Sequence, residues 1–240
     1  MKKLIFMLAL AIVTFSCKKD IKVDFTEFNI EASEDTEISI NYPKAIGDDT
    51  VAKLINKTLE SYIINQTNLE EKELSNISVG DAIKRFNEEF NAFKKNFPDS
   101  SQKWELLIDG EVTYRSLEVI CIALNSYVDT GGAHGNTNVR FFNFNPTTGQ
   151  LISKEGLIDD IDALSKIIAN SLKANVLAKD YNQPMEDFFF GKGFQLPETI
   201  GFSDEGLIIL YNPYEIASYA QGIIEFTIPY EEVSSFLKVY

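Results

Sequence analysis

The stretch Leu117–Val128 constrains the fold most, because it is apolar almost throughout, broken only by Glu118, Asn125 and Ser126. A run this short, without strict alternation, reads as a central strand buried on both faces. Its expected neighbours lie on either side. Trp104–Ile108 and Glu111–Tyr114 read as a hairpin about Asp109-Gly110, a strong turn dipeptide. Val139–Phe144 reads as another strand, ended by Asn145-Pro146 and a Thr148-Gly149 turn. Further along, Leu207–Tyr211 and Ile223–Ile228 are strands. Near the start, Phe28–Tyr42 suggests two short strands around Glu34–Asp35, the second ended by Pro43.

Helical spacing supplies the rest. Val79, Ile83, Phe86, Phe90, Phe93 and Phe97 fall on one stripe, with Ser78 and Asp81 as a capping pair and Pro98 after the end. Under three heptads is short for a coiled coil, so the stripe is expected to pack on the sheet of its own domain rather than on a partner. A helix capped by Asp48 or Asp49 carries Val51, Leu54, Ile55, Leu59 and Tyr62, and another runs from about Asp160 to Lys179. Residues 181–203 read as loop, pinned by Phe188–Phe190 and Phe194, and Pro229 begins a last short helix. The mixed order gives the α+β class, with helices packed on an antiparallel sheet. No linker cuts the region 28–240, whose halves are about 28–128 and 129–240.

Charge and composition remove whole classes of function. With 22 basic against 36 acidic residues, the net charge of −14 argues against nucleic-acid binding, which needs a basic footprint. An apolar fraction of 45% is too high for a disordered chain. One His and two Cys provide neither a Cys/His zinc cluster nor a disulfide framework, and no cofactor is expected. The N-terminus reads as an address: Lys2 and Lys3, then the uncharged Leu4–Phe15, too short to span a bilayer, then Ser16 and Cys17. This resembles the leader of a bacterial lipoprotein, with Thr14 departing from the favoured Leu of the lipobox. The reading is a signal peptide over 1–16, a lipidated Cys17, and a polar tether through residue 27. It places the protein at the cell envelope, facing the periplasm or the exterior and held to the membrane by its lipid alone. Loss of Lys2 and Lys3 with the leader takes the charge from −14 to −16. Cys121, inside the apolar run, is expected to be a buried free thiol.

Candidate chemistry centres on the lone His134, set in Thr130-Gly131-Gly132-Ala133-His134-Gly135-Asn136. Ser126 and Asp129 are near in sequence, yet there is no G-x-S-x-G elbow and no phosphate-binding G-x-x-x-x-G-K-[ST]. His134 therefore stands between a structural role, a binding surface and a catalytic base, the structural role weighing most. The acidic pairs Asp48/Asp49, Glu70/Glu71, Glu88/Glu89, Asp159/Asp160 and Glu231/Glu232 read as helix starts and solvated faces. The segment Tyr211–Gly222 holds three Tyr within nine residues, as a packed corner or as a recognition surface.

Taken in order, YVDTGGAHGNTNV (Tyr127–Val139), FFNFNPTTG (Phe141–Gly149) and YNPYEIA (Tyr211–Ala217) resemble an extracytoplasmic domain of unknown function. That domain is shared by the anti-sigma factor RsiV and the peptidoglycan deacetylase PdaC. The resemblance spans about residues 28–240. It implies an α+β module outside the cytoplasmic membrane, which in RsiV recognises lysozyme. Neither the anti-sigma segment nor the deacetylase domain has a counterpart in this sequence. The resemblance implies contact residues Gly131, Gly132, His134 and Gly135 in the first loop and Tyr214, Glu215 and Tyr219 in the second, with lysozyme or a wall fragment as partner. The functional expectation is a lipid-anchored binding module of the envelope. The alternatives are an envelope hydrolase using His134 or a carboxylate pair, which needs a deep cleft, and a structural lipoprotein that packs on a partner through the Phe helix or an edge strand.

Overall fold

The computed structural model describes residues 21–32, 36–70, 72–174 and 188–240. The leader with Cys17, the Glu34–Asp35 turn, and the end of the predicted Asp160–Lys179 helix, including Val176, lie outside them.

Strands β1 (Val23–Ala32), β2 (Glu37–Gly47), β3 (Glu105–Arg115), β4 (Ile120–Asp129) and β5 (Asn136–Phe144) form one sheet in chain order. β1 starts within the segment assigned as tether, pairing Val23 with Gly47. All neighbours are antiparallel except β2 and β3. That one parallel pair follows from the connection: helices α1 (Asp49–Gln66) and α2 (Val79–Asn96) form a crossover between them. Pro43 does not end β2. Pairing with β3 stops at Asn41, so Pro43 sits where β2 needs no donor on that side.

The expected hairpin about Asp109-Gly110 is instead one continuous strand, β3. Gly110 faces Leu124 of β4, and a Cβ there would meet Leu124 Cδ2 at 2.4 Å and Pro43 Cδ at 3.1 Å. The glycine marks a close approach between strands and not a turn. The chain instead reverses after Arg115, where Ser116 Oγ accepts the amides of Glu118 and Val119, 3.1 Å each.

β4 is buried on both faces, as its composition requires. Ile120, Ile122 and Leu124 join a core with α1 and α2, whereas Cys121 and Ala123 face a second core on the other side. α1 is capped by Asp48, which accepts the amides of Thr50 and Val51. α2 carries the Ser78/Asp81 capping box. Its aromatic stripe closes on Trp104, with Phe86, Phe90 and Phe93 at ring distances of 5.4, 5.6 and 5.7 Å. Such pairs each add about 0.5–1.5 kcal/mol beyond burial. The stripe thus belongs to the domain's own core, and only Phe97 at its end is left exposed.

The second core lies under a three-stranded antiparallel sheet, β6 (Ile200–Phe202), β7 (Gly206–Tyr211) and β8 (Ile224–Pro229). β6 falls in the segment 181–203 expected to be loop. Three residues are too few to show a period, although all three are buried. β6 touches β3, β4 and β5. Leu157 belongs to a separate turn, α3 (Lys154–Leu157), capped by Ser153, and not to the helix that follows. That helix, α4 (Ile161–Leu172), is capped by Asp160 and buries Leu164, Ile168 and Leu172 against the second core. α5 (Tyr230–Val233) closes the chain. Cys121 is fully buried; burial raises its thiol pKa to about 11, consistent with a packing role. The class is α+β, with two sheets where one was expected.

Candidate functional site

The loop 129–135 and the segment 211–222 meet at one end of the molecule. In the loop, Gly131 has φ +85°, and its amide donates to Asp129 Oδ1 at 2.7 Å. Its carbonyl accepts from Gln102 Nε2 at 2.6 Å. Gly132 is exposed, and a Cβ there would meet only the His134 carbonyl oxygen, at 3.8 Å. Gly135 is buried against Tyr127, whose ring atoms lie 2.4 Å from where a Cβ would stand. These contacts shape the loop so that His134 projects outward.

The second segment is fixed from below. Asn212 spans the edge strand β5: its Oδ1 accepts from Val139 N at 2.7 Å and its Nδ2 donates to Val139 O at 3.0 Å. The Glu215 amide donates to Asn212 O at 3.0 Å, closing a turn whose second residue is Pro213. Tyr214, its third residue, has φ +68°, the sign a type II turn demands there. A left-handed non-glycine residue costs about 1–2 kcal/mol. This turn holds an exposed Tyr in it, 55% accessible, against the loop.

The two segments form an aromatic cluster. The rings of His134 and Tyr219 stack at 3.6 Å and 17°. Tyr214 stands 6.4 Å from His134 and 5.8 Å from Tyr219. His134 Nδ1 lies 2.9 Å from the Gly135 carbonyl, which only accepts, so Nδ1 carries a proton. In the neutral ring Nε2 then accepts from the Tyr214 hydroxyl at 3.3 Å. The Tyr219 hydroxyl donates to the same Gly135 carbonyl at 3.1 Å.

Of the predicted contact residues, Gly132, His134, Tyr214 and Tyr219 are brought together at the surface, and Gly131 and Gly135 shape the loop beneath. Glu215 has a different job. Its carboxylate accepts from Glu198 N at 2.6 Å and from Asn212 N at 2.9 Å, and burial raises its pKa. It is a half-buried brace of the turn. Ser126, weighed as a nucleophile, is 1% exposed and bonded to Tyr62, Gln66 and Asn138. Asp129 is spent on Gly131. The surface around His134 is an open hollow of about 300 Å³. Sequence reasoning missed Gln66 and Leu69, which line this hollow, and Gln102, which holds Gly131. They lie far from the loop in sequence and nothing local marks them.

Residues 30–137 match the family model Deacetylase PdaC, and residues 151–231 match the model "Protein of unknown function (DUF3298)". The Peptidoglycan-N-acetylmuramic acid deacetylase PdaC of Bacillus subtilis is 25% identical over 186 residues, covering 72% of this chain. The chain spans only 38% of that relative's length. Two crystal structures share the fold. A DUF3298-family member from Bacteroides fragilis has a TM-score of 0.67 at 18% identity, covering 90% of this chain and 93% of its own. A DUF3298-family protein from Pseudomonas aeruginosa has a TM-score of 0.56 at 18% identity, covering 91% and 95%. The chain is thus similar to DUF3298-family proteins and to PdaC.

Proposed function

We propose that this protein is a lipid-anchored binding module of the cell envelope, with the His134–Tyr214–Tyr219 cluster as its recognition surface and lysozyme or a wall fragment as its partner. The observation that carries the reading is the convergence of two sequence motifs on one exposed aromatic cluster. The strained Tyr214 turn keeps a large amphipathic side chain in the open, and aromatic residues of this kind dominate recognition energetics. The relative's printed activity on peptidoglycan supports an envelope setting. No helix among the described residues is long and apolar enough to cross a membrane; in this reading the anchor is the lipid on Cys17. A net charge of −14 favours encounter with a cationic partner such as lysozyme, more through association rate than through affinity.

The test is titration of the chain from Asp20 onward, which keeps every described element, with a cationic lysozyme at low and near-physiological salt. Saturable binding that survives the higher salt and weakens on Tyr214→Ala is the expected result. Binding that vanishes with salt would reduce the interaction to charge attraction. Mass spectrometry of membrane fractions from wild type and Cys17→Ser tests the anchor.

A further inference from the structure

We infer that the hollow beside His134 is a saccharide subsite that takes an acetamido sugar, an inference that rests on the binding-module reading above. The hollow, about 300 Å³, lies between the C-terminal end of α1 and the loop that leads into β5. Its distinguishing property is its lining. In a chain with 24% charged residues and a net charge of −14, no Asp, Glu, Lys or Arg among the described residues lines it. Its polar side chains are amides, one hydroxyl and the His134 imidazole, and Leu69 and Val128 supply apolar surface. An uncharged ligand rich in hydroxyl and amide groups matches that wall; an ionic ligand does not.

Several amides are spent on rigidity. Asn65 bonds Ser61 and Leu74, and Asn68 bonds Lys72 and Glu70. They fix the wall. Among the described residues Gln66 bonds only through its side-chain Oε1, which accepts from Ser126 at 3.3 Å, so its Nε2 donors remain for a ligand. Thr130 and Asn136 make no side-chain hydrogen bond with another described residue. Three polar groups thus line the hollow together with the His134 ring, which stacks on Tyr219. The C–H groups on one face of a pyranose carry partial positive charge and suit the negative face of such a ring. A few placed polar groups then fix orientation. Leu69, 46% exposed, offers the apolar contact that an acetamido methyl needs.

The experiment follows amide chemical shifts of the chain from Asp20 onward during titration with tri-N-acetylchitotriose, and in parallel with maltotriose, which lacks the acetamido group. The expected result is saturable shifts confined to Gln66–Leu69, Thr130–Asn136 and Tyr219, stronger with the acetylated sugar. Gln66→Glu and Asn136→Asp keep the acceptor oxygens and remove the donors. Each should weaken binding about 3- to 10-fold while leaving the spectrum otherwise native. Shifts elsewhere, equal binding of both sugars, or affinity indifferent to both variants would overturn the inference. If lysozyme binds and is lost on Tyr214→Ala while neither sugar binds, the subsite fails and the binding-module reading stands. If nothing binds, both fail.

Discussion

Replacing Asn212 with Ala tests whether the recognition segment is held by β5. The change deletes both hydrogen bonds to Val139, at 2.7 and 3.0 Å, in a residue only 9% exposed. A neutral hydrogen bond contributes about 0.5–1.5 kcal/mol net, and a buried group left without its partner costs about 1–3 kcal/mol. Val139 would be left with both an unpaired N–H and an unpaired C=O on an edge strand, so a loss of roughly 2–4 kcal/mol is expected. Urea unfolding followed by the fluorescence of Trp104, the sole tryptophan and a core residue, measures it. Asn212→Asp sharpens the test. It keeps the acceptor for Val139 N but turns an oxygen toward Val139 O. Once ionised, that carboxylate repels the carbonyl; once protonated, its O–H can donate to it. The Asp variant should therefore regain stability as pH falls through the carboxylate range, whereas the Ala variant should not. An Ala variant within about 0.5 kcal/mol of wild type at unchanged m-value, the scale of an ordinary surface substitution, would refute the argument.

Four further outcomes follow. Gly149→Ala places a Cβ 2.6 Å from the Val51 carbonyl at φ +71°, and should cost about 2 kcal/mol or more in urea unfolding. Tyr214→Gly relieves a left-handed residue while deleting the exposed ring, so stability should hold or rise by about 1 kcal/mol while lysozyme binding is lost; parallel loss of both would count against the surface role. Glu215 has a raised pKa in the fold, so its protonated form is favoured there. Its contribution is greatest below the unfolded carboxylate range and is lost as pH rises through the folded pKa, and the stability of wild type relative to Glu215→Gln should fall across that window in urea midpoints. Cys121, fully buried with a thiol pKa of about 11, should resist iodoacetamide at pH 8 in the native state and react on unfolding, as mass spectrometry would show.

Strong local signals were legible in the sequence. The Phe stripe with its capping pair gave α2, and the apolar run gave a strand buried on both faces. What failed were features settled by distant residues. Asp109-Gly110 carries turn chemistry, yet Leu124 and Pro43 need a glycine at that spot in a continuous strand. Pro43 looked like a strand end because nothing local says that β3 stops pairing at Asn41. At the site, the two motifs singled out in the sequence meet in one aromatic cluster. The role of Glu215 was not readable, because its partner Glu198 N is 17 residues away and burial, not residue type, decides whether a carboxylate braces or contacts.

The alternation of β4 and β5 between two cores has a consequence for how this chain can be divided. The two family matches end at residue 137 and begin again at residue 151, so most of β5 falls between them. Yet Phe141 faces one core while Phe142 and Phe144 face the other. A fragment cut at either boundary would bare one side of that strand to water. The segments that look like two modules in sequence are therefore expected to melt as a single cooperative unit, with β5 as the wall they share.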